Sequence, residues 1–239
     1  MYNLALDFGN TAIKYGFFEA ESLRKSGTIG QEQELALLPE ITQIDNVIIS
    51  SVRENIGKLS ALSEVKGITI TLNYQTPIPV KNGYETPQTL GMDRLAAVIG
   101  AKALYPDKDC LVIDAGTCIT YDFVDNQHYY HGGSIAPGLE MKFKAVHTFT
   151  QKLPLVEQTS GPVKLTGRNT REAIQSGILN GTLAEVQGII NVYKEQAPKL
   201  VVVLCGGDAA FFETNLKQHI FVVPELVLIG LNRILNYNV

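Results

Sequence analysis

The segment LALDFGNTAIKYGFFE, Leu4 to Glu19, returns as LVIDAGTCITYDFVD, Leu111 to Asp125, once Asn10 is treated as a one-residue insertion. Each copy runs an apolar stretch into an Asp-x-Gly turn, a Thr, and an alternating stretch that ends in a carboxylate. That pattern predicts a β-hairpin: a buried strand, a tight turn where Gly9 or Gly116 permits a positive φ, and a second strand of alternating character. Asp-Gly turns are common, and two could match by chance. Here the similarity continues past the turn through the Thr and the whole second strand. Two such hairpins in one chain predict two similar domains.

After the first hairpin, periodicity predicts a strand at Ser22–Ile29, a helix at Gln33–Leu38, a strand at Asn46–Ser51, a helix at Ile56–Leu62, a strand at Gly67–Leu72 and a helix at Leu95–Leu104. After the second it predicts a strand at Tyr129–Ile135, a helix from Leu139, a long helix at Arg171–Tyr193, a strand at Leu200–Leu204, a helix at Ala209–Leu216, a strand at Ile220–Val223 and a final helix at Glu225–Asn236. Strands first and alternating helices later, twice over, describe a duplicated mixed-sheet α/β unit. The cleft between two such units is where a ligand is expected. The final helix, LVLIGLNRILNY, is apolar enough to pack on either domain or on a partner subunit, and its periodicity does not choose.

Charge narrows the function. With 20 Lys and Arg against 24 Asp and Glu, the net charge of -4 does not supply the clustered cations that duplex nucleic acid or an anionic membrane surface requires. No stretch approaches the roughly 20 apolar residues of a bilayer span, and MYNLALDFGN has no basic segment ahead of an apolar run, so a cytoplasmic protein is expected. Cys110, Cys118 and Cys205 form no CxxC pair, which fits a reducing compartment, and His128 and His131 fall on opposite faces of a strand.

Four clusters carry chemistry. In the first, Asp7, Gly9, Asn10, Thr11 and Lys14 can offer backbone N–H groups, a hydroxyl, a cation and a carboxylate for hydrated Mg²⁺ to the phosphates of a nucleotide, although DFGNT alone also describes an ordinary turn. GxxxxGK[ST] and GxGxxG are both absent, which excludes a P-loop and a dinucleotide fingerprint. The second cluster, Asp114, Gly116 and Thr117, is the repeat partner of the first. In the third, Gly206 and Gly207 follow the apolar LVVVLC and precede a helix, so the backbone can approach a flat ring or a phosphate; Asp208 as a plain N-cap is the competing reading. The fourth is Tyr84 with LGMDR, Leu90 to Arg94, where Asp93 and Arg94 are either a helix cap with an ion pair or a base and an anion anchor.

The paired loops resemble those of the actin, acetate kinase and sugar kinase superfamily. More specifically, DFGNTAIK, YETPQTLGMDR, DAGT, GGSIAPG and GRNT, in this order from Asp7 to Thr170, resemble the motif series of type III pantothenate kinases. Met92 fills a variable position of that series, and Cys118 stands where a small residue is common. The resemblance implies two ribonuclease H-like domains, residues 1–108 and 109–239, with an interdomain nucleotide cleft. It also implies ATP-dependent phosphorylation of pantothenate to 4′-phosphopantothenate, the first step of coenzyme A synthesis. ATP would lie on Asp7, Phe8, Gly9, Asn10, Thr11, Ala12, Ile13, Lys14 and Thr117, and adenosine on Gly206 and Gly207. Pantothenate would lie on Tyr84, Gly91, Met92, Arg94 and Thr170, with Asp93 as proton acceptor. Asp114 would bind potassium or ammonium, Mg²⁺ would accompany ATP, and the protein would be a homodimer. Two other readings keep the same loops: a nucleotide-responsive accessory protein and a kinase for a different alcohol.

Overall fold

The chain is described by a computed structural model at residues 1–9, 12–51, 59, 62–63, 65–159, 161 and 163–239. It divides into two compact units: Met1–Cys110 with Phe123–Gly132 and Glu225–Val239, and Leu111–Asp122 with Gly133–Pro224. The boundary in the chain near residue 110 lies close to the expected one at 108, while Phe123–Gly132 and the final helix group with the first unit.

The first unit is built on a five-stranded sheet of order β3-β2-β1-β4-β5, comprising β1 Tyr2–Phe8, β2 Ile13–Glu19, β3 Ser22–Ile29, β4 Asn46–Ser51 and β5 Thr69–Thr71. Strand β1 runs antiparallel to β2 and parallel to β4. Its central place explains its near-continuous apolar run, because every residue after Tyr2 is buried. Leu4, Leu6 and Phe8 pack with Ile13, Tyr15, Val47 and Ile49 in one cluster. The segment expected to be helical at Gln33–Leu38 is a 3-10 turn, Glu32–Leu37. The helix expected at Ile56–Leu62 lies largely outside the described residues.

Helices α1, Met92–Leu104, and α5, Leu226–Asn238, complete this unit. They meet backbone to backbone: a Cβ on Gly230 would strike the Ala96 carbonyl, and one on Gly100 would strike the Leu226 carbonyl. The position of α5 is then fixed by buried amides. Asn3 Nδ2 donates to Asn232 Oδ1 at 2.9 Å and to Asn236 Oδ1 at 2.7 Å, while Asn232 Nδ2 donates to the Ala20 carbonyl at 2.9 Å. A satisfied polar network of this kind gives one register and no other. Within the chain, the final helix packs on the first unit.

The second sheet has the order β11-β10-β7-β8-β9-β6, with β6 Lys81–Asn82, β7 Cys110–Ala115, β8 Cys118–Val124, β9 Tyr129–Pro137, β10 Val201–Cys205 and β11 Phe221–Val222. Its helices are α2 Leu139–Thr148, α3 Thr170–Gln196 and α4 Ala209–Asn215. Helix α3 starts where Asn169 Oδ1 accepts the Glu172 N–H at 2.9 Å. A polar clamp joins β8, α2 and α3: Glu185 accepts from Tyr121 Oη at 3.0 Å and from Lys142 Nζ at 2.7 Å, and Lys142 also donates to Thr182. Burial, with Glu185 beside it, pushes the Tyr121 phenol pKa up, so it stays a neutral donor.

Candidate active site

The first loop follows from the β1–β2 ladder. Asp7 lies opposite Lys14 across the ladder and beside Ser50 of β4, and the Gly9 N–H donates to the Ala12 carbonyl at 3.1 Å. Gly9, just beyond the strand, closes the turn without a positive φ. Asn10 and Thr11 lie outside the described residues. Phe8 and Ile13 are fully buried in the core, so only their backbone can face a ligand. Lys14 is half-buried at the loop end of β2.

The second loop sits in the second unit, walled by two glycines distant in sequence. The Gly116 N–H donates to the Cys118 carbonyl at 2.9 Å, and Gly116, like Gly9, closes its turn without a positive φ. Gly206 is the residue with φ +95°. A Cβ there would strike the Ala115 carbonyl and the Asp114 carboxylate. Gly138 backs onto the carbonyls of Gly116 and Thr117, and its N–H donates to Thr117 at 3.1 Å. The loop is clamped between these two backbones and leaves Thr117 exposed and Gly207 with open space around it. The carboxylate of Asp114 and the neighbouring carbonyls are hard oxygen donors of the kind a potassium ion takes.

Asp208 does not cap α4 with its side chain; its N–H donates to the Ala115 carbonyl at 2.9 Å. Burial, reinforced by Glu140, holds its carboxyl above the usual range. Asp208 and Glu140 line a cavity of about 440 Å³ with Phe143, Lys144 and Val156, all in the second unit.

The fourth cluster gathers in the first unit. Gly91, not Asp93, is the N-cap of α1, and Asp93 Oδ1 instead accepts the Arg94 N–H at 2.8 Å. A Cβ on Gly91 would stand 2.5 Å from that same oxygen, so the glycine leaves room for the carboxylate. Arg94 is 7% exposed, with its guanidinium 5.7 Å from the Tyr84 ring centre. Tyr84 in turn stacks on fully buried Tyr130, at 6.4 Å and 6° between planes, and Gly132, φ +92°, passes beneath its edge. Met92 is half-buried in the first turn of α1. The site is therefore a buried cation on an aromatic platform with a carboxylate one residue away. Thr170 is exposed at the first position of α3, in the second unit.

Sequence reading missed Tyr130 and the walling role of Gly138. Tyr130 carries no motif signal, although its neighbour Gly132 begins GGSIAPG; Gly138 ends that motif, but its role needs the fold.

Two mixed sheets, each containing an Asp-x-Gly hairpin, are those of the actin and sugar-kinase fold class. A Baf-family protein of known structure from Campylobacter jejuni matches with a TM-score of 0.64 at 23% identity over 98% of each chain. The activator of 2-hydroxyisocaproyl-CoA dehydratase from Clostridium difficile, solved with ADPNP bound, matches at 0.53 and 14% identity over 100% of this chain and 95% of that one. The family is shown by sequence. The type III pantothenate kinase model matches residues 3–192. A type III pantothenate kinase from Cytophaga hutchinsonii is 45% identical over 237 residues, 99% of this chain and 100% of that one. The chain belongs to the type III pantothenate kinase family.

Proposed function

We propose that this chain transfers the γ-phosphoryl group of ATP to the terminal hydroxyl of pantothenate, giving 4′-phosphopantothenate for coenzyme A synthesis, with Asp93 accepting the hydroxyl proton. Family membership over nearly the whole chain supports the reaction. The observation that carries the residue assignment is Asp93 in the first turn of α1, one residue from an Arg94 held over Tyr84. Pantothenate is a carboxylate with a hydroxyl at its far end, so a fixed cation and a carboxylate are the two groups its phosphorylation needs.

In this reading Arg94 and Tyr84, with Gly91, Met92 and Thr170, hold pantothenate. The loop from Asp7 to Lys14 and Thr117 hold the phosphates, and Gly206 and Gly207 take the adenosine. Because phosphoryl transfer is dominated by positioning and charge stabilisation, Asp93 only has to orient the hydroxyl and take its proton as the new bond forms. Asp114, with its neighbouring carbonyls, would hold potassium or ammonium. Once bound, that ion adds positive charge beside phosphates that Lys14 and one Mg²⁺ do not neutralise. We take the working form to be a cytoplasmic homodimer, in keeping with the family resemblance and with three free cysteines.

A coupled ADP-release assay with Mg-ATP and pantothenate, run in potassium, ammonium or sodium, tests this. Turnover that requires pantothenate and potassium or ammonium is expected, and Asp93→Asn should lower kcat about 10²- to 10⁴-fold with nucleotide binding retained. Near-normal turnover by Asp93→Asn would remove the base assignment. ATP binding without turnover in any cation would point to the accessory reading.

A further inference from the structure

We propose that the first unit carries a second ligand site, a pocket for a small phosphate- or carboxylate-bearing anion built on Lys102, His128 and Arg233. These side chains, with Glu21 and the apolar walls Val80 and Ile99, line a cavity of about 250 Å³. None of them belongs to the loops assigned to ATP or pantothenate.

Lys102 is the strongest argument. It sits in the last turn of α1 and is 3% exposed. Its ammonium has three donors, and among the described residues one hydrogen bond is made, to the Lys108 carbonyl at 2.8 Å. A buried cation with donors to spare is costly unless an acceptor meets it. Consistent with that, burial lowers the lysine's pKa although Cys110, Asp109, Asp125 and Asp107 act to raise it. None of those acidic groups lines the cavity. Asp109 accepts the Asn126 N–H, and Asp125 accepts the N–H groups of Gln127 and Tyr129 and bonds His131.

The other two groups face the cavity from separate elements. Arg233, on α5, gives Nη1 to Glu21 at 2.8 Å, and the rest of its guanidinium fork makes no further hydrogen bond among the described residues. Glu21 is the one carboxylate in the wall, and it is already engaged by that contact. His128 is held at φ +61°, a costly backbone conformation for a residue other than glycine. The turn holds it there: its N–H donates to the Asp125 carbonyl at 3.2 Å, and its own carbonyl accepts from Lys81 at 2.8 Å. A point charge, a planar fork and an imidazole around one small cavity are the donor set for a phosphate or carboxylate group.

The test is an NMR titration of the full chain with inorganic phosphate and, separately, with succinate, at ionic strength matched with sodium chloride. The readout is the His128 ring and Arg233 Nε resonances. At least one probe should shift both resonances along a saturable curve in the millimolar range, and whichever probe saturates identifies the anion class. Arg233→Gln, at an exposed position, should weaken that binding at least about tenfold while leaving kinase turnover without added anion unchanged. Lys102→Met should abolish saturation; if that variant does not fold, Arg233→Gln carries the test alone. Linear, unsaturating shifts with both probes would overturn the proposal, as would saturation that Arg233→Gln leaves untouched.

Discussion

Replacing Gly206 by Ala should disable the second loop through backbone geometry alone. At φ +95° an L side chain is strained by about 1–2 kcal/mol. The added methyl would also run into the Ala115 carbonyl and the Asp114 carboxylate, and neither can yield easily. Asp114 and Ala115 are the last residues of β7, and the Ala115 carbonyl is held by the Asp208 N–H at 2.9 Å. Overpacking of this kind costs about 1–3 kcal/mol. Together these give a loss of about 2–5 kcal/mol, or a urea midpoint lowered by about 0.7–2.5 M at a slope of about 2–3 kcal/mol per M. The matched control is Gly207→Ala. Gly207 is exposed, has no positive φ and has nothing within 4 Å of an added Cβ, so its stability should stay within about 0.5 kcal/mol of wild type. If Gly207 faces adenosine, however, that methyl should raise the KM for ATP. Urea denaturation followed by circular dichroism, with ATP kinetics on both variants, separates the effects. A Gly206→Ala midpoint equal to wild type, with an unchanged KM for ATP, would refute the clamp.

Tyr84→Leu removes the face on which Arg94 rests, a contact of about 0.5–2 kcal/mol, so pantothenate KM should rise about 2- to 30-fold, while Tyr84→Phe stays within about twofold. Asn232→Ala leaves Asn3 Nδ2 short of one acceptor and the Ala20 carbonyl short of its Asn232 donor, which should cost about 2–3 kcal/mol and lower Tm by about 4–12 °C in a thermal scan. For Asp208, burial and Glu140 raise the folded-state pKa, so the native chain holds that proton more tightly than the unfolded one. Stability is therefore lost as pH rises from the ordinary carboxylate value through the raised one. Asp208→Asn should be more stable than wild type at pH 7 and equal to it in acid; urea midpoints that differ equally at both pH values would exclude this carboxyl as the cause.

The legible parts of the molecule were those whose physics is local. Strand β1 and its repeat in β7 announce themselves because a central strand buried on both faces must be apolar along its length, and Asp-x-Gly closes each hairpin. The reasons behind particular residues were less legible where the partner is far along the chain. Gly9 and Gly116 are turn glycines as read, each donating a backbone hydrogen bond across its turn, to Ala12 and Cys118, yet neither has a positive φ. The positive φ at a loop-forming glycine falls instead on Gly206, some ninety residues beyond the loop it shapes. Asp93 likewise read as a candidate cap. What frees it from capping is Gly91 at the N-cap, together with an Arg94 carried by Tyr84 and, behind that ring, Tyr130. A substitution at Tyr130 should therefore act on pantothenate through two intervening residues. Tyr130→Leu would remove the stack under Tyr84 and raise pantothenate KM without touching the KM for ATP, a split that general loosening of the first unit would not produce because the loop from Asp7 to Lys14 belongs to that same unit.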